Sequence, residues 1–417
     1  MDLADITNSD TFVNDVPHDT FKYLRDHDPV SWWDETEGGS GFWAITRYRD
    51  LLDVSKNPEV FCSGRGIVWE EPSPEAFQAR RSMIEYDAPE HTRYRRLVSK
   101  PFSRREVYAY EQAIRLLARA VLDEALAPGT TELDFLSAVA KQLPMRMLGR
   151  LLGVPDEDGP WLVERGDALI GHADPDMTDT PVGLTDTSEY EMMPFRSPAG
   201  LDLYEYGQRA VAERRANPTD DVINALLQPT VEGDRLTEAE FNNFFVLLVS
   251  AGNDTTRYSM AHGMKALIDH PDQLAELRDS IGTNPALMDS AVEEMLRWGT
   301  VTMNFRRTAT RDIELHGRQI REGQKVVMFF ISADYDDRQF PDPFRFDIHR
   351  TPNEHVAFGR MSPHLCLGAQ LARLELKVLF EELLPRLSDA QLAGPVPRLR
   401  SNFIRGIKSM PIRVSLA

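Results

Sequence analysis

The stretch "HVAFGRMSPHLCLGAQLARLELKVLF" (355–380) contains Cys366, one of two cysteines among 417 residues. A loop bearing Gly, Ser and Pro precedes this cysteine, and apolar residues at helical spacing follow it. Backbone N–H groups and the dipole at the start of a helix would stabilise a thiolate there. Gly368 has no side chain and would let a flat ligand approach the backbone, while His364 could donate to an anionic group. A thiolate with an open face suits an axial ligand of haem iron.

The other cysteine, Cys62 in "PEVFCSGRG", has no such context, and we expect it to be an inert buried side chain. Two cysteines with no shared motif exclude a disulfide framework, a structural zinc site and an iron–sulfur cluster of their own.

The composition indicates a globular protein, because 42% of the residues are hydrophobic and 27% are charged. The net charge of −19 would repel phosphate backbones, so we expect no nucleic-acid partner. The first residues, "MDLADITNSDTF", are acidic and polar, unlike a signal peptide, and no apolar run reaches the ~18 residues of a membrane span. These features predict a soluble, cytoplasmic protein, and we expect a monomer.

Hydrophobic periodicity predicts one large domain over residues 1–417, mainly α-helical with small β-sheets. Residues up to about 65 combine a helix (19–27) with two strands (29–35 and 41–48) around the turn "TEGGSG". The part from about 66 to 300 is helical, with long runs at 110–127, 237–270 and 284–298. From about 301 to 417 we expect short strands (313–320 and 324–332), the cysteine loop and a last helix.

Two tracts depart from ordinary helical patterning. The tract 171–203 is rich in Pro, Gly, Asp and Thr, which indicates either a lid or a disordered segment. The run "AGNDTTRY" places Gly252 and two threonines inside the longest helix, where they are poor helix formers. We therefore expect a local distortion near Asp254 and Thr255.

Two further pairs stand at helical spacing. His91 and Arg95, four residues apart, could together bind a carboxylate, although a solvated surface also fits them. Glu294 and Arg297, three residues apart in "EEMLR", fit an ordinary surface pair as well.

The four motifs occur in the order HxxxR, AGxDTT, ExxR and a Phe-Gly loop with His-x-Cys-x-Gly. This order resembles the cytochrome P450 family as soluble bacterial members carry it, over essentially the whole chain. "PHLCLGAQLAR", "AGNDTTRYSMAHGM" and "RLRSNFIRGIKSMP" look most like the group that hydroxylates steroid side chains and branched lipids.

The resemblance implies haem b as the cofactor and a role for each matching residue. Cys366 would be the iron ligand, and Glu294 with Arg297 would brace the core. Asp254 and Thr255 would be the catalytic acid–alcohol pair that handles protons. The other cofactor-binding residues would be His91, Arg95, Ala251, Arg307, His364 and Gly368.

The cysteine loop departs from the family pattern at two places. Phe358 stands eight residues before Cys366 instead of seven, which also occurs in the steroid and branched-lipid group. Ser362 replaces a glycine that usually stands four before the cysteine. Since glycine often serves where φ is positive, we expect Ser362 to strain the loop or change a hydrogen bond near the sulfur.

The resemblance further implies insertion of one oxygen atom from O2 into a C–H bond. The chain has no flavin or nicotinamide fingerprint, so electrons would come from a separate ferredoxin and ferredoxin reductase. An acidic ferredoxin could dock on basic residues that stand out in an acidic chain. These residues are Arg93, Arg96, Lys100, Arg104, Arg105, Arg360 and Arg373.

The substrate pocket should mix apolar and hydroxyl side chains, which indicates a largely apolar small molecule with one polar group. We expect the segment 64–86 and the tract 171–203, with Met192, Met193 and Phe195, to roof it. Steroid, branched lipid and terpenoid substrates are favoured, and fatty acids and aromatics stay open. The expected lining residues are Leu247, Ser250, Ala251, Val301, Thr302 and Met303.

Two other functions remain open. A haem-binding sensor or carrier would need Cys366 but would have no use for Asp254 and Thr255. A haem-thiolate enzyme driven by peroxide often lacks such a pair.

Overall fold

Helices make up most of the computed structural model, which describes residues 3–35, 39–219, 221–229 and 233–417. The α-helices in chain order are α1 (His18–His27), α2 (Tyr48–Ser55), α3 (Pro74–Arg80), α4 (Glu90–Val98), α5 (Arg104–Ala109), α6 (Glu111–Ala125), α7 (Gln142–Leu152), α8 (Gly159–Ile170), α9 (Pro198–Ala216), α10 (Val222–Leu227), α11 (Glu238–Asp269), α12 (Pro271–Ser280), α13 (Pro285–Gly299), α14 (Phe330–Ala333) and α15 (Ala369–Leu383).

The strands form small sheets at the periphery of the helices. They are β1 (Val30–Trp33), β2 (Phe42–Ile45), β3 (Phe61–Cys62), β4 (Glu132–Asp134), β5 (Asn304–Ala309), β6 (Ile313–Leu315), β7 (Arg318–Ile320), β8 (Lys325–Phe329), β9 (Leu387–Leu392) and β10 (Pro411–Leu416). One sheet has the order β1-β2-β8-β5-β3, a second β4-β10-β9, and β6 pairs with β7. The prediction of a mainly α fold with small sheets is confirmed.

The helix α11 crosses the middle of the domain. It begins with a capping box, in which the Thr237 hydroxyl accepts from the Glu240 N–H and the Glu240 carboxylate accepts from the Thr237 N–H. It ends at Asp269, two residues before a proline that cannot continue it. Most side chains between Phe241 and Leu267 are buried, because helices α7, α8, α9, α12, α13 and α15 pack around it.

Three apolar clusters form the core. The largest joins the helices from α4 to α13 with α15, and two smaller ones fill the space beside the five-stranded sheet. In the part of the chain that the structure describes, no helix is long and apolar enough to cross a bilayer.

The predicted helices lie close to the observed ones, and the run 237–270 differs from α11 by one residue at each end. The strands predicted at 29–35 and 41–48 are β1 and β2, which pair antiparallel. Residues 36–38 of the turn between them lie outside the described residues.

Three predictions about elements were wrong. The run 313–320 is a hairpin, not one strand, because His316 and Gly317 adopt left-handed φ angles of 49° and 73° and reverse the chain. The strand predicted at 324–332 ends at Phe329, where α14 begins. The tract 171–203 is irregular only up to Ser197, whose hydroxyl caps the first turn of α9.

The side chains of Glu294 and Arg297 on α13 are fully buried. Arg297 donates through Nε and Nη2 to the two carboxylate oxygens, at 2.8 and 2.7 Å. The remaining nitrogen, Nη1, donates to the carbonyls of Asp334 and Pro343. The pair therefore binds the segment that leads to the cysteine loop and is not a surface ion pair.

We expect Glu294→Gln to lower the free energy of unfolding by about 3–5 kcal/mol, because it leaves the buried Arg297 charge uncompensated. Urea unfolding followed by circular dichroism measures this change. The matched control on the same helix is Asp289→Asn, since Asp289 is 62% exposed and pairs with Lys377 at the surface. We expect that control to change stability by less than about 1 kcal/mol. Equal losses in the two variants would contradict a special role for the buried pair.

Candidate active site

A cavity lies between α11 and the loop that ends at Cys366. It encloses about 1760 Å³ of empty space, counting its open mouth. Ala251, Gly252 and Thr255 of α11 belong to its lining, and so do Cys366 and Gly368. The cysteine and the threonine of two distant motifs thus share one cavity.

The Cys366 thiol sits at the end of its loop, directly before α15. Its side chain has accessible surface, and this surface belongs to the cavity lining, deep within the protein. Burial raises the pKa of the Cys366 thiol, while the Gly368 N–H and the charges of Arg95 and Arg373 act in the opposite direction. The expected stabilisation of a thiolate is therefore present but weaker than the effect of burial.

Gly368 lies beside the sulfur. A Cβ added there would be 4.0 Å from Sγ, so any larger side chain would extend next to the thiol. The absence of a side chain therefore keeps this part of the cavity accessible.

The loop before the cysteine carries its backbone strain at Met361, not at Ser362. Met361 adopts a φ of 64°, the left-handed conformation that favours glycine, and the neighbouring Gly359 has a φ of 71°. Ser362 instead accepts a hydrogen bond from the His364 N–H through its hydroxyl, at 3.0 Å. The strain predicted at Ser362 is wrong because the left-handed residue stands one position earlier.

Four basic side chains meet near the cysteine loop without carboxylate partners. Arg95 donates to the Leu365 carbonyl at 2.6 Å, and Arg307 donates to its neighbour's carbonyl at 2.8 Å. The rings of His91 and His364 lie 4.0 Å apart, and the buried atoms His91 Nε2 and His364 Nδ1 have no hydrogen-bond partner. Among the described residues no acidic side chain forms an ion pair with either guanidinium.

This basic cluster favours an anionic ligand. Burial and the neighbouring positive charges lower the pKa of His364 to about 2, and burial lowers the pKa of Arg307 to about 10. Because Arg95, Arg307 and His364 line the cavity, carboxylates on a bound molecule would supply the partners that the protein does not.

The helix α11 passes the cavity without a break. Residues 238–269 are continuously helical, so the distortion expected near Asp254 and Thr255 is not observed. The Thr255 hydroxyl donates to the Ala251 carbonyl at 2.8 Å, a bond that threonine makes within a regular helix. The lone pairs of its oxygen remain able to accept a hydrogen bond from a molecule in the cavity.

Asp254 does not line the cavity, because one residue along a helix rotates the side chain by about 100°. It is fully buried, accepts from the Asn253 amide at 3.0 Å and pairs with Arg257 at 3.1 Å. Burial, together with the nearby carboxylate of Asp167, raises the pKa of Asp254 to about 8. The structure thus separates the predicted pair into a hydroxyl on the cavity and a buried acid behind it.

Four of the six predicted pocket residues line the cavity, namely Leu247, Ala251, Val301 and Thr302. Ser250 lies on a buried face of α11 and donates to the Val246 carbonyl at 2.9 Å. Met303 packs into the core cluster beside the five-stranded sheet.

The two segments expected to roof the cavity contribute differently. Ile67, Met83 and Ile84 of the segment 64–86 line it, and no described residue of 171–203 does. Phe195 instead stacks on His172 with ring centroids 4.7 Å apart.

The tract 171–203 packs outside the segment 64–86 and is bound to it. Arg80 is buried, donates to the Met193 carbonyl at 3.0 Å and pairs with Glu70 at 2.7 Å. Glu70 also pairs with Arg196, at 3.0 Å. An opening of the tract would therefore break an ion-pair network centred on Glu70.

Glu375 on α15 also lines the cavity, and the sequence analysis did not identify it. It is buried, its Oε2 has no hydrogen-bond partner, and burial raises its pKa to about 8. The sequence could have pointed to Glu375, because this glutamate stands between Leu374 and Leu376 in a largely apolar helix. We therefore expect Glu375 to be protonated at neutral pH.

Comparisons with known proteins agree on one family. The family model described as cytochrome P450 matches residues 204–392. The steroid C26-monooxygenase of Mycobacterium tuberculosis is 36% identical over 416 residues, covering 97% of this chain and 91% of that protein. The methyl-branched lipid omega-hydroxylase of the same species is 35% identical over 406 residues, covering 96% and 91%.

Solved structures share the fold over nearly the whole chain. A Mycobacterium marinum cytochrome P450 in complex with pseudoionone has a TM-score of 0.84 and 40% identity, covering 95% of this chain and 94% of that one. A Bacillus megaterium cytochrome P450 in complex with testosterone has a TM-score of 0.83 and 29% identity, covering 96% and 99%.

The buried acid predicts a pH-dependent change in stability. Because the pKa of Glu375 rises from 4.5 to about 8 on folding, the unfolded chain releases a proton in that window and wild-type stability falls as pH rises. A glutamine does not titrate, so Glu375→Gln lacks this pH-dependent loss. The free energy of unfolding of Glu375→Gln minus that of the wild type should therefore increase between pH 4.5 and about 8. Urea unfolding at several pH values measures the difference. A parallel increase in Glu322→Gln, whose side chain is 62% exposed, would contradict the assignment.

Proposed function

The chain belongs to the cytochrome P450 family, whose cofactor is haem b, and on this premise we propose that it inserts one oxygen atom from O2 into a C–H bond of a steroid or branched lipid. The observation that carries the proposal is the shared cavity of Cys366 and Thr255. A sulfur that would hold the iron and a hydroxyl that would take part in proton transfer are thus present at the same cavity.

The residues around the cavity fit a haem. Cys366 would hold the iron, and the iron's charge would offset the burial that raises the pKa of the thiol. His91, Arg95, Arg307 and His364 would bind the propionates, which supply the anionic partners that these side chains lack. Gly368 and Ala251 would leave room for the flat ring.

The haem, when bound, supplies the activation of O2 and its insertion into the C–H bond. Thr255 would accept a hydrogen bond from a donor group in the cavity, because its own proton is engaged with the Ala251 carbonyl. Asp254 would be the proton reserve behind it, since its raised pKa keeps a proton available at neutral pH.

The apolar part of the cavity lining supports an apolar substrate. Its side chains include Ile67, Met83, Leu247 and Val301, with Thr302 as a hydroxyl at its edge. Shape would select the substrate, since the lining offers dispersion contacts and few directional ones. The names of the two relatives favour steroids and methyl-branched lipids as substrates. Terpenoids belong with them as largely apolar molecules.

We propose that the electrons come from a separate ferredoxin, which its reductase reduces with a nicotinamide cofactor. We further propose that this takes place in the cytoplasm. The basic residues near the cysteine loop are not equivalent. Arg93, Arg360 and Arg373 form ion pairs with Glu240, Glu354 and Glu293.

The remaining basic residues are better placed for docking. Lys100, Arg104 and Arg105 have no carboxylate partner among the described residues, and α5, which carries the two arginines, packs against α15. These three side chains are the positions at which an acidic ferredoxin would bind, while Arg96, which lies 3.8 Å from Asp234, would contribute less.

The ligand assignment is tested by spectroscopy. The reduced carbon monoxide adduct of the wild type should show the strongly red-shifted Soret band of a thiolate-ligated haem. Cys366→His should lose this shift, since imidazole donates less electron density to the iron. The control is Cys62→Ser, a buried cysteine that does not line the cavity, which should keep the band. A thiolate band that persists in Cys366→His would remove the assignment.

The function itself is tested by turnover on a panel of steroids, branched fatty acids, terpenoids and aromatics, with added ferredoxin, reductase and NADH. We expect binding spectra and hydroxylated product from steroids or branched lipids. Thr255→Ala should bind the same ligands but divert electrons to peroxide, with product per NADH falling at least about tenfold.

Binding without substrate-dependent NADH consumption would instead indicate a sensor or carrier. Product formed with hydrogen peroxide alone, and unchanged by Thr255→Ala, would indicate a peroxide-driven enzyme.

A further inference from the structure

A second, much smaller cavity lies beside the loop that joins β9 to β10. It encloses about 190 Å³, counting its open mouth. Arg398, Ser401 and Arg405 of this loop line it, together with apolar side chains that include Phe12 and Val16 of the N-terminal segment. A space of this size is below the range of about 300–1,000 Å³ that organic ligands occupy, but it can hold a small ion or a water.

The three polar side chains of this lining carry unsatisfied hydrogen-bond donors. Arg398 Nη1 and Arg405 Nε are buried and have no hydrogen-bond partner. The Ser401 hydroxyl oxygen accepts from the N–H groups of Phe403 and Ile404, at 3.1 and 3.0 Å, and no described residue accepts its proton. A water would satisfy these donors only in part, because it also needs acceptors for its own two protons.

Positive charge exceeds negative charge around this small cavity. Arg398 pairs with Asp15 at 2.9 Å, and Arg405 lies 3.8 Å from the same carboxylate oxygen. The Asp15 side chain is 57% exposed, so solvent weakens its attraction for both guanidinium groups. Burial and the charge of Arg405 lower the pKa of the nearby His18 to about 3, so this histidine is neutral. Among the described residues, no second carboxylate forms an ion pair with Arg398 or Arg405.

We propose that this small cavity is a binding site for one chloride ion, held by Arg398, Ser401 and Arg405. A monovalent anion accepts hydrogen bonds from all three side chains and donates none, which matches the unsatisfied groups of the lining. Its charge neutralises the surplus of the two arginines, which is costly to bury alone. The proposal goes beyond the proposed function and does not depend on it.

The loop that contains the chloride site also supports one wall of the main cavity. The Arg405 N–H donates to the Val301 carbonyl at 2.8 Å, and Thr302 forms an antiparallel bridge with Ile404. Val301 and Thr302 both line the main cavity. A bound chloride therefore stabilises the loop on which this wall rests.

Anomalous diffraction locates the ion. Bromide has the charge of chloride and nearly its size, and it scatters anomalously, so crystals of the haem-loaded protein are soaked in sodium bromide. We expect an anomalous peak between Arg398, Ser401 and Arg405 in the wild type and none there in Arg398→Gln. A cavity that holds water only, without this peak, would overturn the proposal.

Urea unfolding of the haem-loaded protein tests binding in solution. Sodium chloride replaces sodium gluconate, whose anion is too large for the cavity, at constant ionic strength. We expect the unfolding midpoint of the wild type to rise with chloride and to saturate, because a ligand of the folded state stabilises it. Arg398→Gln should lose this rise, since it removes one charge and one donor. The control is Arg413→Gln, whose side chain is 59% exposed and should keep the rise.

Ser401→Ala provides a milder variant that keeps both guanidinium charges. It should need at least about threefold more chloride for half of the effect, because one donor to the ion is lost. No rise in the wild type, or an equal rise in Arg398→Gln, would overturn the proposal, and a bromide peak without a chloride effect would show an adventitious ion only. If Arg398→Gln does not fold, Ser401→Ala decides, and an unchanged chloride requirement there would also overturn it.

Discussion

The buried ion pair of Glu294 and Arg297 determines where the cysteine loop lies. Glu294 accepts from the Asp347 N–H, from Arg350 and from Asn353, and Arg297 donates to the Asp334 and Pro343 carbonyls. The adjacent Glu293 accepts from His355 and from Arg373 of α15. One turn of α13 thereby fixes the irregular chain from 334 to 355 and the helix after Cys366. An irregular segment has few contacts of its own, so buried charges with complete sets of partners replace the hydrogen-bond ladder of a sheet.

The basic side chains around the cavity are not compensated in the way that Glu294 and Arg297 compensate each other. There the protein buries His91 and Arg307 beside the partly buried Arg95 and His364, and no described acidic side chain forms an ion pair with any of the four. Such a cluster destabilises the chain alone, and a ligand that neutralises it contributes its binding free energy to folding. The cofactor is thus a structural component as well as a reagent, and this explains why a large internal space can persist in a domain of otherwise dense packing.

The sequence predicted those features that depend on neighbours in the chain. The apolar periodicity of 237–270 placed this helix to within one residue at each end, and the order of motifs predicted the role of Cys366. Features that depend on distant residues were not accessible. The strand β4 is recognisable only beside β10, which pairs Asp134 with Pro411. Asp167 on α8 and Asp254 both contact Arg257 because the two helices pack together, and no local pattern marks Asp167. Adjacent positions 254 and 255 looked like one functional pair, although helical geometry directs them to different surroundings.

The pairing of β4 with β10 has a consequence for how the protein is made. During synthesis the helices α6 to α13 emerge and can pack before the cysteine loop exists. The strand β4 can pair only when β10 has been synthesised, because β10 lies between β4 and β9 in the sheet. Until then the backbone groups along that edge of β4 have no strand partner. In the sequence, the cysteine loop lies between β4 and β9. Cys366 can therefore bind haem only after most of the chain has been synthesised.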